Sequence, residues 1–159
     1  MNHSSTRKIT FGGVIAALYV VLTVVANAFG LASGAIQVRI SEALTILPVF
    51  TIAAIPGLTV GCVLANLITG CAPWDVVFGS LATLIGAVGT RMLRKKPLLA
   101  WIPPVIANMA IVPVVLQKVY GVPDAWWYLA LTVGAGEVIS CGILGLLLYH
   151  SVKNIPQLR

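Results

Sequence analysis

Charge is scarce in this chain. Only 9% of its 159 residues are charged while 59% are hydrophobic, and the mean hydropathy is +1.02; nothing is left over for a soluble domain, so the class implied is an integral membrane protein. Acids are rarest, four in all: Glu42, Asp75, Asp124 and Glu137. The net charge of +6 does not point to nucleic acid, because the basic residues fall in short clusters between apolar runs, where positive-inside topology accounts for them. Cys62, Cys71 and Cys141 lie in or beside apolar runs without C-x-x-C spacing, and only His3 and His150 are available to join them, so no metal site is expected. G-x-S-x-G and H-E-x-x-H are absent, which leaves an intramembrane enzyme without support, and without G-x-x-x-x-G-K-[ST] the chain is no ATPase.

What is present is one apolar run after another. The uncharged stretches are 9–38, 43–74, 76–90, 97–117 and, apart from Glu137, 125–152. Residues 1–8 and an apolar run ending near Ala26-Asn27-Ala28 look like a signal peptide, but the run is too long for one and further spans follow, so an uncleaved first helix is expected. The run 43–74 would make a helix of roughly 48 Å, too long for one crossing, and Pro56-Gly57 is the expected point of division. Parity agrees. Arg7 and Lys8 precede the first helix, and Arg91, Arg94, Lys95 and Lys96 follow the run 76–90; if both clusters are cytoplasmic, an even number of crossings separates them. The expected architecture is an all-α, six-transmembrane-helix bundle in the cell membrane, a single domain over 1–159 with both termini cytoplasmic. Its helices fall at about 9–29, 42–55, 57–70, 74–93, 98–118 and 125–151. Eight basic residues then lie inside, the six above with Lys153 and Arg159, against Arg39 and Lys118 outside. The outer end carries a glycine-containing loop at 30–41, a tight turn at 69–73 and a third loop at 118–124.

Glu137 lies roughly 18 Å below the Trp126/Trp127 end of its run, near the centre of a bilayer about 30 Å thick. A carboxylate there costs on the order of 3 kcal/mol even on a lenient insertion scale, so it should face the protein interior and have a partner.

Three groups of residues carry a family resemblance: Val38-Arg39-Ile40-Ser41-Glu42-Ala43-Leu44-Thr45-Ile46-Leu47-Pro48; then Ile55-Pro56-Gly57 with Ala65-Asn66-Leu67; then Trp74-Asp75-Val76-Val77-Phe78-Gly79-Ser80-Leu81-Ala82-Thr83-Leu84-Ile85-Gly86-Ala87. The chain resembles the QueT family, substrate-binding S components of energy-coupling factor transporters associated with uptake of queuosine precursors. The resemblance implies a bundle that captures its ligand from outside and works with a transmembrane coupling subunit (EcfT) and two ATPase subunits. ATP would be used by those partners, and no cofactor is expected on this chain. The implied ligand is a 7-deazaguanine such as 7-aminomethyl-7-deazaguanine or queuine. The rival readings are an S component for another vitamin or base, such as riboflavin or thiamine, and a solo carrier using Glu137 as a proton relay.

Under this resemblance Glu137 is the first candidate, because one carboxylate can accept both the ring N–H and the exocyclic amine of a deazaguanine; the alternative is a structural acid paired within the bundle or kept protonated. Asn108, about 15 Å below the outer end of its run, has an amide suited to a purine carbonyl and ring nitrogen, or to an interhelical hydrogen bond. Trp74 could stack on a flat base and Asp75 meet an ammonium; equally, Trp74 could be an interfacial tryptophan and Asp75 a helix-start acid. Arg39 and Glu42, three apart, either pair with each other on a helical turn or line a gate beside the segment 30–34, a candidate lid. Asn66, roughly 6 Å inside the outer end of the third helix, is a further candidate. Gly12-x3-Ala16 and Gly13-x3-Ala17 form a small-residue face, for docking on the coupling subunit or for internal packing.

Overall fold

All regular structure among the described residues is helical. The computed structural model describes residues 3–31 and 37–155. In chain order these form α1 (His3–Ala28), a 3-10 helix (Ile40–Val49), α2 (Ala54–Ile68), α3 (Pro73–Met92), a single 3-10 turn (Pro97–Leu99), α4 (Ile102–Lys118), α5 (Trp126–Glu137), a π-helical stretch (Val138–Leu144) and α6 (Gly145–Val152). Four helical segments are long and apolar enough to cross a membrane: Ser5–Ala28, Pro73–Met92, Pro97–Lys118 and Trp126–Val152, the last combining α5, the π stretch and α6. The 3-10 helix and α2 are apolar but shorter. The candidate lid at 30–34 falls largely on residues 32–36, outside the described residues.

Small residues set the helix contacts. α1 packs on α2, α2 on α3, α3 on α4 and α4 on α5, and the 3-10 helix lies among α1, α3, the π stretch and α6. A Cβ added at Gly57 would lie 2.6 Å from the Gly12 carbonyl oxygen, and one at Gly61 would lie 2.8 Å from the Tyr19 Cβ. The spacing Gly57-x3-Gly61 is therefore the groove in which α1 rests. On the next interface, Gly86 and Gly89 receive Pro104 and Pro103. The faces turned away from these contacts carry Val14, Val21, Leu81, Ile106, Leu131 and Ile143, all exposed, as a lipid-facing surface requires.

The division of the run 43–74 falls at residues 50–53, ahead of Pro56-Gly57. Pro56 is the third residue of α2, in the first turn, where its missing N–H costs no intrahelical bond, and Gly57 serves the α1 contact. The element before the break is a 3-10 helix of ten residues, long for that geometry, with Ser41 through Pro48 buried. Its C-terminal carbonyls are held by Arg91, whose Nη1 donates to the Pro48 and Val49 oxygens at 3.0 and 3.2 Å. Between α2 and α3 the turn is made by Gly70, at φ 74, with the Cys71 N–H donating to the Asn66 carbonyl at 2.9 Å. Pro73 then opens α3.

Candidate functional site

At the end of the bundle where α2 turns into α3, a cavity of about 360 Å³ opens between α1, residues 37–41, that turn and the end of α4. Its polar walls are Tyr19 and Thr23 of α1, Arg39, Asn66, Asp75 and Tyr120. Asp75, in the first turn of α3, accepts a hydrogen bond from the Tyr120 hydroxyl at 2.9 Å, and that hydroxyl accepts from the Ala72 N–H at 3.2 Å. Burial raises the Tyr120 phenol above its ordinary value and the Asp75 carboxylate pushes the same way, so the O–H stays a donor at neutral pH. Gly79 makes room beside a donor and an acceptor: a Cβ there would lie 3.2 Å from Asn66 Nδ2 and 3.5 Å from Asp75 Oδ1.

Arg39 is the extended residue preceding the 3-10 helix, and its backbone N–H donates to Ser140 Oγ at 3.1 Å. That places it on the cavity wall while Glu42, one turn on, is directed into the bundle. No ion pair joins the two among the described residues: their i, i+3 spacing pairs side chains only where both residues are helical, and Arg39 is not.

Beneath the cavity lies a second, sealed group. Glu42 is 0% exposed and Glu137 3%. One oxygen of each carboxylate and the Cys141 sulfur lie within 4.8 Å of one another. The Tyr19 hydroxyl donates to Glu42 Oε1, and the Cys141 thiol donates to Glu137 Oε2 at 3.2 Å. Thr45 Oγ1 holds the Glu42 carbonyl at 2.6 Å. Among the described residues, three buried polar atoms have no hydrogen-bond partner: Glu42 Oε2, Asn108 Oδ1 and Ser80 Oγ. Asn108 gives its amide N–H to the Pro104 carbonyl at 3.1 Å, which leaves the acceptor end free. Two carboxylates at this separation repel by about 3 kcal/mol at an effective dielectric of about 20, so the pair is costly unless a donor or cation is shared between them. The cysteine spacing gave no hint of this cluster, because Cys141 reaches Glu42 only through the fold. With three protein ligand atoms it falls short of the four that a structural zinc site uses.

The sequence-derived candidates thus separate into two tiers. Arg39, Asn66 and Asp75 line the cavity; Glu42, Glu137 and Asn108 are sealed below it. Trp74 lies in neither tier. It is 61% exposed and stacked on Phe78 with ring centroids 6.0 Å apart, because one residue along a helix is about 100° around it and Asp75 takes the inward position. Tyr19, Tyr120 and Cys141 were not singled out. The available signal was a hydroxyl or thiol inside or beside an apolar run, which needs a partner once buried.

Residues 9–154 match the family described as QueT transporter. The chain belongs to the QueT transporter family. That family is one of transporters and not of enzymes. A curated relative, the "Queuosine precursor transporter QueT" of Lactococcus lactis subsp. cremoris (strain MG1363), is 36% identical over 86 residues, which is 54% of this chain and 50% of that protein. The match therefore spans half the length of the relative. No solved structure matches the chain. In this QueT family member the small-residue face of α1 is divided between two uses: Ala16 is buried and Gly12 meets Gly57 of α2, whereas Gly13 and Ala17 are exposed, with nothing within 4 Å of a Cβ added at Gly13.

Proposed function

We propose that this chain is the substrate-binding S component of an ATP-driven energy-coupling factor importer in the cell membrane, capturing a 7-deazaguanine queuosine precursor from outside. The observation that carries this reading is the polar cavity above buried acceptors that have no donor, in a chain of the QueT family. A deazaguanine brings what those acceptors lack: a ring N–H and an exocyclic amine side by side. The name of the Lactococcus lactis relative, a queuosine precursor transporter, supports the same substrate class. Glu137 and Glu42 accept the donor edge of the base, Asn108 meets its carbonyl side, and Asp75, Asn66 and Arg39 hold the part that remains in the cavity, with Asp75 meeting the ammonium of an aminomethyl substituent.

The topology in this reading is six crossings with cytoplasmic termini, the 3-10 helix and α2 supplying the short second and third. The positive-inside distribution of the basic residues supports it and turns the cavity mouth outward. Transport energy comes from two ATPase subunits through the coupling subunit (EcfT), which docks on the exposed Gly13 and Ala17 side of α1.

Isothermal titration of the detergent-purified protein with 7-aminomethyl-7-deazaguanine, queuine, guanine, riboflavin and thiamine tests the substrate. Saturable binding of a deazaguanine, with guanine much weaker, is expected. Tight binding of riboflavin or thiamine by a protein that ignores both deazaguanines would overturn the substrate and leave the transporter family untouched.

A further inference from the structure

One side chain, Tyr19, reaches from the cavity to the sealed acid pair. Tyr19 belongs to the cavity wall, yet its hydroxyl reaches through to Glu42, a residue with no exposed surface. One turn along α1, Thr23 also lines the cavity and donates to Ser41 Oγ at 2.8 Å. The two hydroxyls clasp α1 to the start of the 3-10 helix. They differ in what they satisfy. Ser41 and Thr23 are two neutral hydroxyls, whereas Tyr19 supplies the side-chain hydrogen bond to a carboxylate whose other oxygen is orphaned and whose nearest acidic neighbour, Glu137, lies within the same 4.8 Å cluster.

We infer that Tyr19 is an internal stand-in for the ligand: its hydroxyl occupies the Glu42 oxygen that a substrate N–H takes, its ring seals the acid pair from the cavity, and binding displaces it. This rests on the acid pair being part of the substrate site. The alternative role for the same hydrogen bond, positioning Glu42 for the ligand, predicts the opposite sign. If Tyr19 competes with the ligand, Tyr19→Phe removes the competitor, keeps the ring volume and tightens binding. If Tyr19 positions Glu42, the same substitution weakens it. A hydrogen bond to a charged group sets the scale at about tenfold in affinity.

Cys141 provides a readout that needs no ligand. Its thiol is buried against Glu137 behind Tyr19, whereas Cys71 sits on the cavity wall. The ligand-free protein is treated with methyl methanethiosulfonate, and modification of each cysteine is followed by mass spectrometry. In Tyr19→Ala, which removes the ring, the rate at Cys141 relative to Cys71 is expected to rise several-fold, and saturating ligand to return Cys141 to slow modification. Titration of Tyr19→Phe with 7-aminomethyl-7-deazaguanine is expected to give roughly tenfold tighter binding than by wild-type protein. An unchanged Cys141 to Cys71 ratio overturns the seal; an unchanged or weaker affinity overturns the stand-in role. Absence of deazaguanine binding by wild-type protein would instead count against the proposed substrate, and the thiol rates would still decide whether Tyr19 is the seal.

Discussion

Asp75 and Glu137 are both buried acids attracted by the Arg39 guanidinium, but they occupy different tiers and should fail differently. Glu137→Gln keeps the side-chain size and removes the charge from the sealed pair; affinity for a deazaguanine is expected to fall about tenfold to a hundredfold by titration, since charge-assisted bonds are roughly twice as strong as neutral ones. Unchanged affinity would reduce Glu137 to a structural acid. Asp75→Asn keeps an acceptor for the Tyr120 hydroxyl, so the fold should be undisturbed while 7-aminomethyl-7-deazaguanine loses more affinity than its uncharged analogue. Equal losses for the two ligands would remove the ammonium contact. Glu137 was legible from sequence because an intramembrane acid is rare enough to stand out. Glu42 was visible as an acid, but its depth was not: the expected helix 42–55 begins with it beside the outer loop 30–41, and only the path of residues 37–41 shows that it turns inward while Arg39 does not. Tyr19 was invisible for a simpler reason, since a tyrosine in an apolar run counts as apolar until its hydroxyl is found on a carboxylate.

Among the elements, the four long apolar helices were readable from the length of uncharged runs, a signal that the bilayer imposes directly. The 3-10 helix was not. Hydropathy distinguishes apolar from polar, but a buried 3-10 segment and a short α crossing have the same composition, and of the proline-glycine pair that suggests a break, Pro56 lies in the first turn of α2 while Gly57 packs on α1. Close helix approach yields two contrasting predictions. A methyl group at Gly136 would lie 2.1 Å from the Gln37 carbonyl oxygen, a backbone atom with nowhere to go, so Gly136→Ala should push α5 away from residues 37–39, break the Arg39 to Ser140 hydrogen bond and lower the melting temperature in detergent, at a cost of about 1–3 kcal/mol. At Gly13 a side chain meets open space. Gly13→Leu should therefore leave melting temperature and ligand affinity as they are and reduce copurification with the coupling subunit, if that face docks. Retained copurification and full uptake would move the docking face elsewhere on the bundle.

As a whole molecule the protein turns large apolar side chains outward as well as inward. Its interior holds an apolar cluster that includes Ile15, Leu44, Leu47 and Leu58, together with the buried polar groups of Glu42, Thr45, Thr83, Asn108, Glu137 and Ser140. In a bilayer, apolar burial does little to favour association of helices, so close backbone contact and interior polar groups take a larger share of holding them together. A ligand that supplies donors to orphaned acceptors should then stabilise the fold more than mass action on an already satisfied site would suggest. A rise in melting temperature with deazaguanine, absent in Glu137→Gln, would show this.

The π stretch directly after Glu137 has a consequence for comparing related sequences. Each i→i+5 turn accommodates about one residue more than an α turn, so α6 meets its neighbours in a phase offset by about one position from a straight continuation of α5. In that phase Gly145 lies beside Ala43 and Ile46 of the 3-10 helix, and Tyr149 stacks on Phe50 with ring centroids 5.4 Å apart. A relative with one residue fewer between positions 138 and 144 could present both faces unchanged on an uninterrupted α-helix. A gap placed there in an alignment would mark the relaxation of a wide turn beside the acid, with neither half of the span shortened.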